Sequence, residues 1–272
     1  MKTSPDRLAA SHALWERARR VMPGGVYGHQ NGAAHGASHP RFLVRGEGSH
    51  VWDVDGNEYV DWMCAYGPMV LGYRHPDVEK AVADQLACGD CLPLPGPRMV
   101  ELAERLVALT PRADLVVFGK NGADATSWAV DVARAHTGRP RIARVLGGYH
   151  GTRPWTMPGL PGVPAHYRED LVEFAWNDLD GLGRLFEAHP DQIAVVITAP
   201  FDHATGTEPA PGFFDVGRPQ AFFTSTLAGG LFITKVYERS AYTVITTGRI
   251  VSPSGALRAL KSLQNCMMFT PC

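Results

Sequence analysis

The 272-residue chain contains no run of 18 or more apolar residues, so no segment of it reads as a membrane-spanning helix. It also lacks a charge excess. The formal net charge is −1 at pH 7, and nothing global points to nucleic acid or to an acidic membrane surface. The opening residues, Met1-Lys2-Thr3-Ser4-Pro5-Asp6-Arg7, have no apolar core of the kind a secretory signal needs, and the expectation is a soluble cytoplasmic protein. Cysteine is scarce. Five cysteines, an odd number, do not make a disulfide framework in a chain of this length. Cys88 and Cys91 form a single C-x-x-C with no second pair, so no zinc site and no metal ligands are expected. Neither G-x-G-x-x-G after a strand nor G-x-x-x-x-G-K-[ST] occurs, which disfavours a dinucleotide fold and a P-loop.

What is present is 45% apolar residues, enough for one large core or two smaller ones. Ser4-Pro5 predicts a helix start, Leu8, Trp15 and Met22 recur every seven residues, and Pro23-Gly24-Gly25 ends the pattern. A short strand is expected at Arg41-Phe42-Leu43-Val44. Residues 49–61 predict a hairpin turning at Asp55-Gly56-Asn57. Helices are expected from Pro76 and over 98–109. Strands and helices then alternate: strand 114–118, helix 122–137, strand 141–146, a long loop, strand 171–175, helix 179–188 and strand 193–198. That alternation predicts an α/β fold, a mostly parallel sheet with helices on both faces, whose ligands gather at the carboxyl ends of the strands.

Two turns lie at such ends. In Phe118-Gly119-Lys120-Asn121-Gly122-Ala123-Asp124-Ala125-Thr126, Asn121 can cap the following helix, and Asp124 stands three residues on. Gly122 and Ala123 offer first-turn N–H groups with little side-chain bulk, a seat for an anion such as phosphate. An ordinary capped helix without a ligand would read the same locally. In Gly147-Gly148-Tyr149-His150-Gly151 the aromatic pair can lie over a flat heterocycle while the glycines let the backbone approach; two loop aromatics packed on the surface are the other reading.

Several stretches, taken in order, resemble the class III pyridoxal-phosphate aminotransferases, in the group similar to glutamate-1-semialdehyde aminomutase. They are Met22-Pro23-Gly24-Gly25-Val26; the D-x-D-G-x-x-Y-x-D hairpin from Val51 to Asp61; Tyr66-Gly67-Pro68 through Leu71-Gly72-Tyr73-Arg74-His75-Pro76; Asn121-Gly122-Ala123-Asp124-Ala125; Ala133-Arg134-Ala135 to Thr137-Gly138-Arg139; and Tyr149-His150-Gly151. The resemblance runs from about residue 5 to about residue 215. It implies a fold-type-I PLP-transferase large domain with an N-terminal arm and β-hairpin, truncated here. It implies an N-terminal helix and arm over 1–49, a partial cofactor-binding domain over 50–215, and an atypical tail over 216–272. It implies pyridoxal 5'-phosphate as cofactor, with Asn121, Gly122 and Ala123 holding the phosphate, and Tyr149 stacking on the ring with His150 beside it. A small amine or carbonyl substrate and a dimer, with itself or with a full-length relative, are further implications. Tyr27 and His29 on the arm are candidates to line the substrate side.

The likeness also has gaps. The family uses a lysine that bears the cofactor and moves protons, and an aspartate that pairs with the pyridine nitrogen. Beyond Asp215 the only acidic residue is Glu238, and the only lysines are Lys235 and Lys261. No catalytic residue is assigned. Lys235, in Phe232-Ile233-Thr234-Lys235-Val236-Tyr237, is the residual candidate; Lys120 is expected to face solvent. Residues 216–272 carry a net charge of +5, against −6 for the rest. Ile197-Thr198-Ala199-Pro200 stands where the family often has Glu-Pro, and no arginine lies near Asn31 to take the carboxylate of a glutamate semialdehyde. The expectation is a protein of aminotransferase lineage that is catalytically impaired. The rivals are a non-catalytic partner subunit or a product without function.

Overall fold

In the computed structural model, which describes residues 5–26, 36–109, 115–119, 121–157, 159–199, 202, 205–213, 222–226 and 232–235, the first helix starts under the carboxylate of a distant aspartate. Ser4, the expected cap, lies outside the described residues. After a 3-10 turn at Pro5–Leu8, helix α1 (Ala9–Ala18) opens at Leu8, which supplies no side-chain cap. Asp55 does so instead: its two oxygens accept the N–H groups of Ala10 at 2.7 Å and Ser11 at 2.9 Å. These are orphan donors of a first helical turn. Helix α1 stops at Ala18, so Met22, third of the seven-residue series, falls beyond it.

Asp55 is placed by a three-stranded antiparallel meander, β1 (Leu43–Glu47), β2 (His50–Asp53) and β3 (Glu58–Val60). The expected hairpin is β2–β3. The strand expected at 41–44 begins later, at Leu43, and runs to Glu47. Asp53 is fully buried inside the turn. It accepts the N–H groups of Asp55 and Asn57, the Asn57 amide and the Tyr59 hydroxyl, all within 3.2 Å. Burial alone would push the Asp53 carboxyl up, but these hydrogen bonds outweigh it and hold the group below the usual 3.8. Burial and the same bond to Asp53 push the Tyr59 hydroxyl up to about 12. Gly56, at φ +81°, supplies the left-handed residue of the turn. The D-x-D-G-x-x-Y motif therefore builds the hairpin and caps α1. Helix α2 (Pro76–Cys88), with proline at its first position, ends at Gly89.

Residues up to Leu94 form one compact unit and those from Pro95 a second. Within the first unit, Asp55 and the Arg7–Asn57 bonds tie α1 to the hairpin.

The second unit contains α3 (Pro97–Leu109), α4 (Gly122–Thr137), β4 (Arg141–Val145), α5 (His166–Glu169), β5 (Leu171–Phe174), α6 (Leu179–Ala188), β6 (Ile193–Thr198), β7 (Phe222–Thr226) and β8 (Phe232–Lys235). The sheet order is β5-β4-β6-β7-β8; the first four strands are parallel and β8 is antiparallel to β7. This is the expected mostly parallel sheet. Val130 and Ala133 of α4 pack with Ile142, Val195 and Ile197 in one cluster, and Leu182 of α6 packs with Ala143, Val145 and Val196 in the other. β6 is buried at every position, as a strand covered on both sides must be. Each fully buried Val, Ile or Leu here contributes about 1.5–3 kcal/mol relative to exposure.

One predicted strand is missing. Asp114 lies outside the described residues, and Leu115–Gly119 belong to no strand. An apolar run becomes a strand only when a neighbour takes its N–H and C=O groups. No neighbour pairs this run among the described residues, and Leu115 and Val117 are nearly half exposed. No helix of the described residues is long and apolar enough to cross a membrane.

Candidate functional site

The site is built from the start of α4 and the loop that leaves β4. Asn121 has extended backbone, and its Oδ1 accepts the N–H of Asp124 at 3.0 Å, the predicted cap. Helix geometry leaves the N–H groups of Gly122 and Ala123 without intrahelical acceptors. Both residues are half-buried. The dipole of a sixteen-residue helix adds positive potential at this end.

After Val145 the chain turns at Gly147, φ +76°, and the Gly148 N–H returns to the Val145 carbonyl at 3.0 Å. Tyr149 is 51% exposed. His150 is buried, its ring stacked 6.5 Å from that of Trp155. Buried Thr126, one turn into α4, donates its hydroxyl to the His150 carbonyl at 2.8 Å. Gly151 has φ +105°, and a Cβ there would lie 2.6 Å from the Ala123 Cβ. Only glycine lets the loop settle on the first turn of α4 in this way.

The structure thus brings Asn121, Gly122 and Ala123 beside the loop that carries Tyr149 and His150. Of that aromatic pair, Tyr149 is the accessible member, and His150 packs behind the loop. Tyr27 and His29, the candidates for the substrate side, lie outside the described residues, as does Lys120. Lys235 is in β8, paired across the strands with Phe223. Among the described residues no group of His, Cys, Asp or Glu could hold a metal ion, and Cys88 and Cys91 are free thiols.

Sequence reasoning missed the residues that join the two turns: Thr126, Arg144, Arg153, Thr156 and Glu173. Arg144 is 8% exposed in β4 and ion-paired to Glu173 of β5. Arg153 is ion-paired to Asp124. A charge flanked by apolar Ala143 and Val145 inside a strand was a legible signal for Arg144; the Thr126 and Thr156 hydroxyls gave none. A groove of about 440 Å³ opens on the outer side of α4, lined by Asp124, Trp128, Asp131, Arg134, Arg153 and Tyr167 among others, and neither Tyr149 nor Gly122 lines it. Desolvation holds the Asp131 carboxyl above its ordinary range, against the opposing pull of Arg134.

Residues 32–160 match the family Aminotransferase class-III. The chain is 33% identical over 269 residues to a glutamate-1-semialdehyde 2,1-aminomutase of Chloroflexus aggregans, covering 94% of this chain and 59% of that protein. The chain belongs, over this region, to the class III aminotransferases. Another relative is an aminopentol aminotransferase of Sphingopyxis macrogoltabida, 44% identical over 190 residues, covering 70% of this chain and 45% of that protein. Among solved structures, an omega-transaminase from Sphaerobacter thermophilus superposes with a TM-score of 0.69 at 34% identity, covering 76% of this chain and 51% of the other. The class III chain described here therefore spans about half the length of the curated relatives it matches. The hairpin and both turns fall inside the family match; Tyr27 and His29 precede it.

Proposed function

We propose that this chain carries the cofactor seat of a cytoplasmic pyridoxal-phosphate aminotransferase acting on a small amine and a carbonyl compound. The observation that carries the reading is the docking of the Tyr149 loop onto the first turn of α4, with Gly151 against Ala123 and Thr126 bonded to the His150 carbonyl. The residues present fit a phosphate joined to a flat ring. Glycine and alanine leave the first-turn N–H groups unscreened by bulk, and a half-exposed tyrosine stands beside them.

When bound, pyridoxal phosphate supplies an electron sink that stabilises negative charge on the substrate carbon next to nitrogen. In this reading Asn121, Gly122 and Ala123 hold the phosphate, and the Tyr149 ring orients the cofactor and shields one face from water. His150, stacked on Trp155, fixes the loop from behind. Tyr27 and His29 line the substrate side. The absence of an arginine near Asn31 argues against a glutamate semialdehyde as substrate.

The same reading makes these 272 residues catalytically impaired by themselves. β7, the strand beside β6, reads Phe222-Phe223-Thr224-Ser225-Thr226 and brings no carboxylate for a pyridine nitrogen. Lys235 is the only lysine of the described strands, and nothing in its sequence context marks it as the cofactor-bearing amine. Incubation with pyridoxal phosphate is expected to give a saturable absorbance change, and subsequent borohydride reduction is expected to label no lysine. No uptake overturns the cofactor seat; a labelled Lys235 overturns the impairment.

A second reading, a partner subunit paired with itself or with a full-length relative, is favoured by α2 and α3. Neither helix has a buried residue, and Val78, Val82, Leu86, Val100 and Leu102 stay about half exposed. Co-purification with an intact class III aminotransferase tests it.

A further inference from the structure

We infer that Arg144 is a positioning residue: through Glu173 and Thr156 it sets the Tyr149 loop against the start of α4, and so sets the affinity for the ring, as distinct from the phosphate, of the cofactor. The inference rests on the cofactor seat proposed above.

Arg144 lies in β4, between apolar neighbours Ala143 and Val145, and is 8% exposed. A guanidinium in such a place carries a desolvation cost that a well-packed apolar residue would avoid, so stability alone does not explain it. Its donors are directed to two partners. Nε donates to Glu173 Oε1 at 2.9 Å, and a second nitrogen reaches the same carboxylate at 2.7 Å. Nη1 donates to the Thr156 carbonyl at 2.5 Å. One planar fork thereby joins β4, β5 and the far end of the loop, a span an ammonium group cannot reproduce.

From Thr156 the connection runs back towards the site. The Thr156 hydroxyl donates to the Gly151 carbonyl at 2.8 Å and accepts the Arg153 N–H at 2.9 Å. Gly151 rests on Ala123, and Arg153 is ion-paired to Asp124 in the first turn of α4. The loop itself, with Gly147, Gly148 and Gly151 close together, has little stiffness of its own. Its position comes from this network and from Thr126. Asn121 caps α4, and Gly122 and Ala123 open it; Val130 and Ala133 of its buried face pack on Ile142, Val195 and Ile197 of the sheet as well as on Trp155 of the loop, so the sheet side of that packing stays in place without Arg144. Removing the arginine should therefore loosen Tyr149 while leaving the phosphate seat in place.

The test uses the whole 272-residue chain and three readouts: hydrogen exchange over residues 148–156, affinity for pyridoxal phosphate, and affinity for inorganic phosphate. Arg144→Met is expected to raise exchange across 148–156 more than across α4, to weaken pyridoxal phosphate on the order of tenfold, and to change inorganic phosphate less than twofold. Arg144→Lys should recover part of the pyridoxal-phosphate affinity through Glu173. Should Arg144→Met fail to fold, Glu173→Gln removes the ionic partner from its more exposed side and is expected to shift all three readouts in the same directions by less. Unchanged exchange over 148–156, or equal weakening of the two ligands, overturns the inference. A wild-type chain that takes up neither ligand overturns the proposed cofactor seat, and the exchange comparison still decides whether Arg144 holds the loop.

Discussion

Helices α3 and α4 have similar lengths and both carry an apolar stripe, yet they end in opposite conditions. In α4, Ala129, Val130, Val132 and Ala133 are buried, and Val130 and Ala133 pack against the sheet. In α3, Val100 and Leu102 stay half exposed and no residue is buried. A periodic apolar face shows which side of a helix requires cover; a neighbour must then supply it. α4 has that neighbour in β4 and β6, which fixes the first turn where the proposed cofactor seat lies. α3 has none among the described residues of its own unit, and its free face is what makes a partner chain a reasonable second reading.

The largest expected effect comes from placing a charge on each stripe. Val132→Lys should cost about 3–5 kcal/mol in urea unfolding, because an ammonium at a fully buried position loses its water. Leu102→Lys should move the same midpoint by no more than about 0.5 kcal/mol. If α3 pairs with another chain, that variant loses co-purification while keeping its own stability. Equal effects at the two positions would erase the contrast.

Next come the contacts that seat the loop on α4. Gly151→Ala introduces a Cβ against Ala123 at a left-handed φ, and a loss of about 1–3 kcal/mol is expected together with weaker pyridoxal-phosphate uptake. Asn121→Ala removes the cap alone, and thermal unfolding should show a loss of about 1 kcal/mol. Asn121→Asp, which keeps a cap oxygen but adds a negative charge beside the proposed anion seat, should retain stability and lose phosphate affinity.

The smallest effects are pH-dependent and opposite in sign in the two units. The Asp53 carboxyl is held below 3.8 in the folded state, so its stabilisation is present above that value and lost as pH falls through the lower folded value. Asp53→Asn should therefore be less stable than wild type at pH 7, with the gap closing below pH 3.8. Asp131 is shifted upward by desolvation, so its charged form opposes folding at neutral pH and is relieved by acid. Asp131→Asn should raise the unfolding midpoint slightly at pH 7 and not at low pH. Parallel pH profiles for the two variants would refute the assigned directions.

Much of this was legible before the fold was known. The Asp55-Gly56 turn gave the hairpin, the continuous apolar run at 193–198 gave a strand covered on both sides, and Asn121 gave the start of α4. The segment at 115–119 was not legible as a non-strand, because local composition records a preference for extended backbone and says nothing of a partner. The capping of α1 by Asp55, 44 residues past Ser11, was equally hidden. In the candidate site the two turns could be read separately. Their contact through Gly151, Thr126 and Thr156 could not, since small residues and hydroxyls are common in loops for many reasons.

The sequence by itself determined the periodicities, the cap at Asn121, the turns and the family to which the matched region belongs, all of which depend on residues close together in the chain. Tertiary structure alone decided which apolar faces are covered, which extended run becomes a strand, and where a buried arginine directs its hydrogen bonds. Those outcomes depend on partners distant in sequence, and a hydrogen bond or a packed face exists only once both partners are in place.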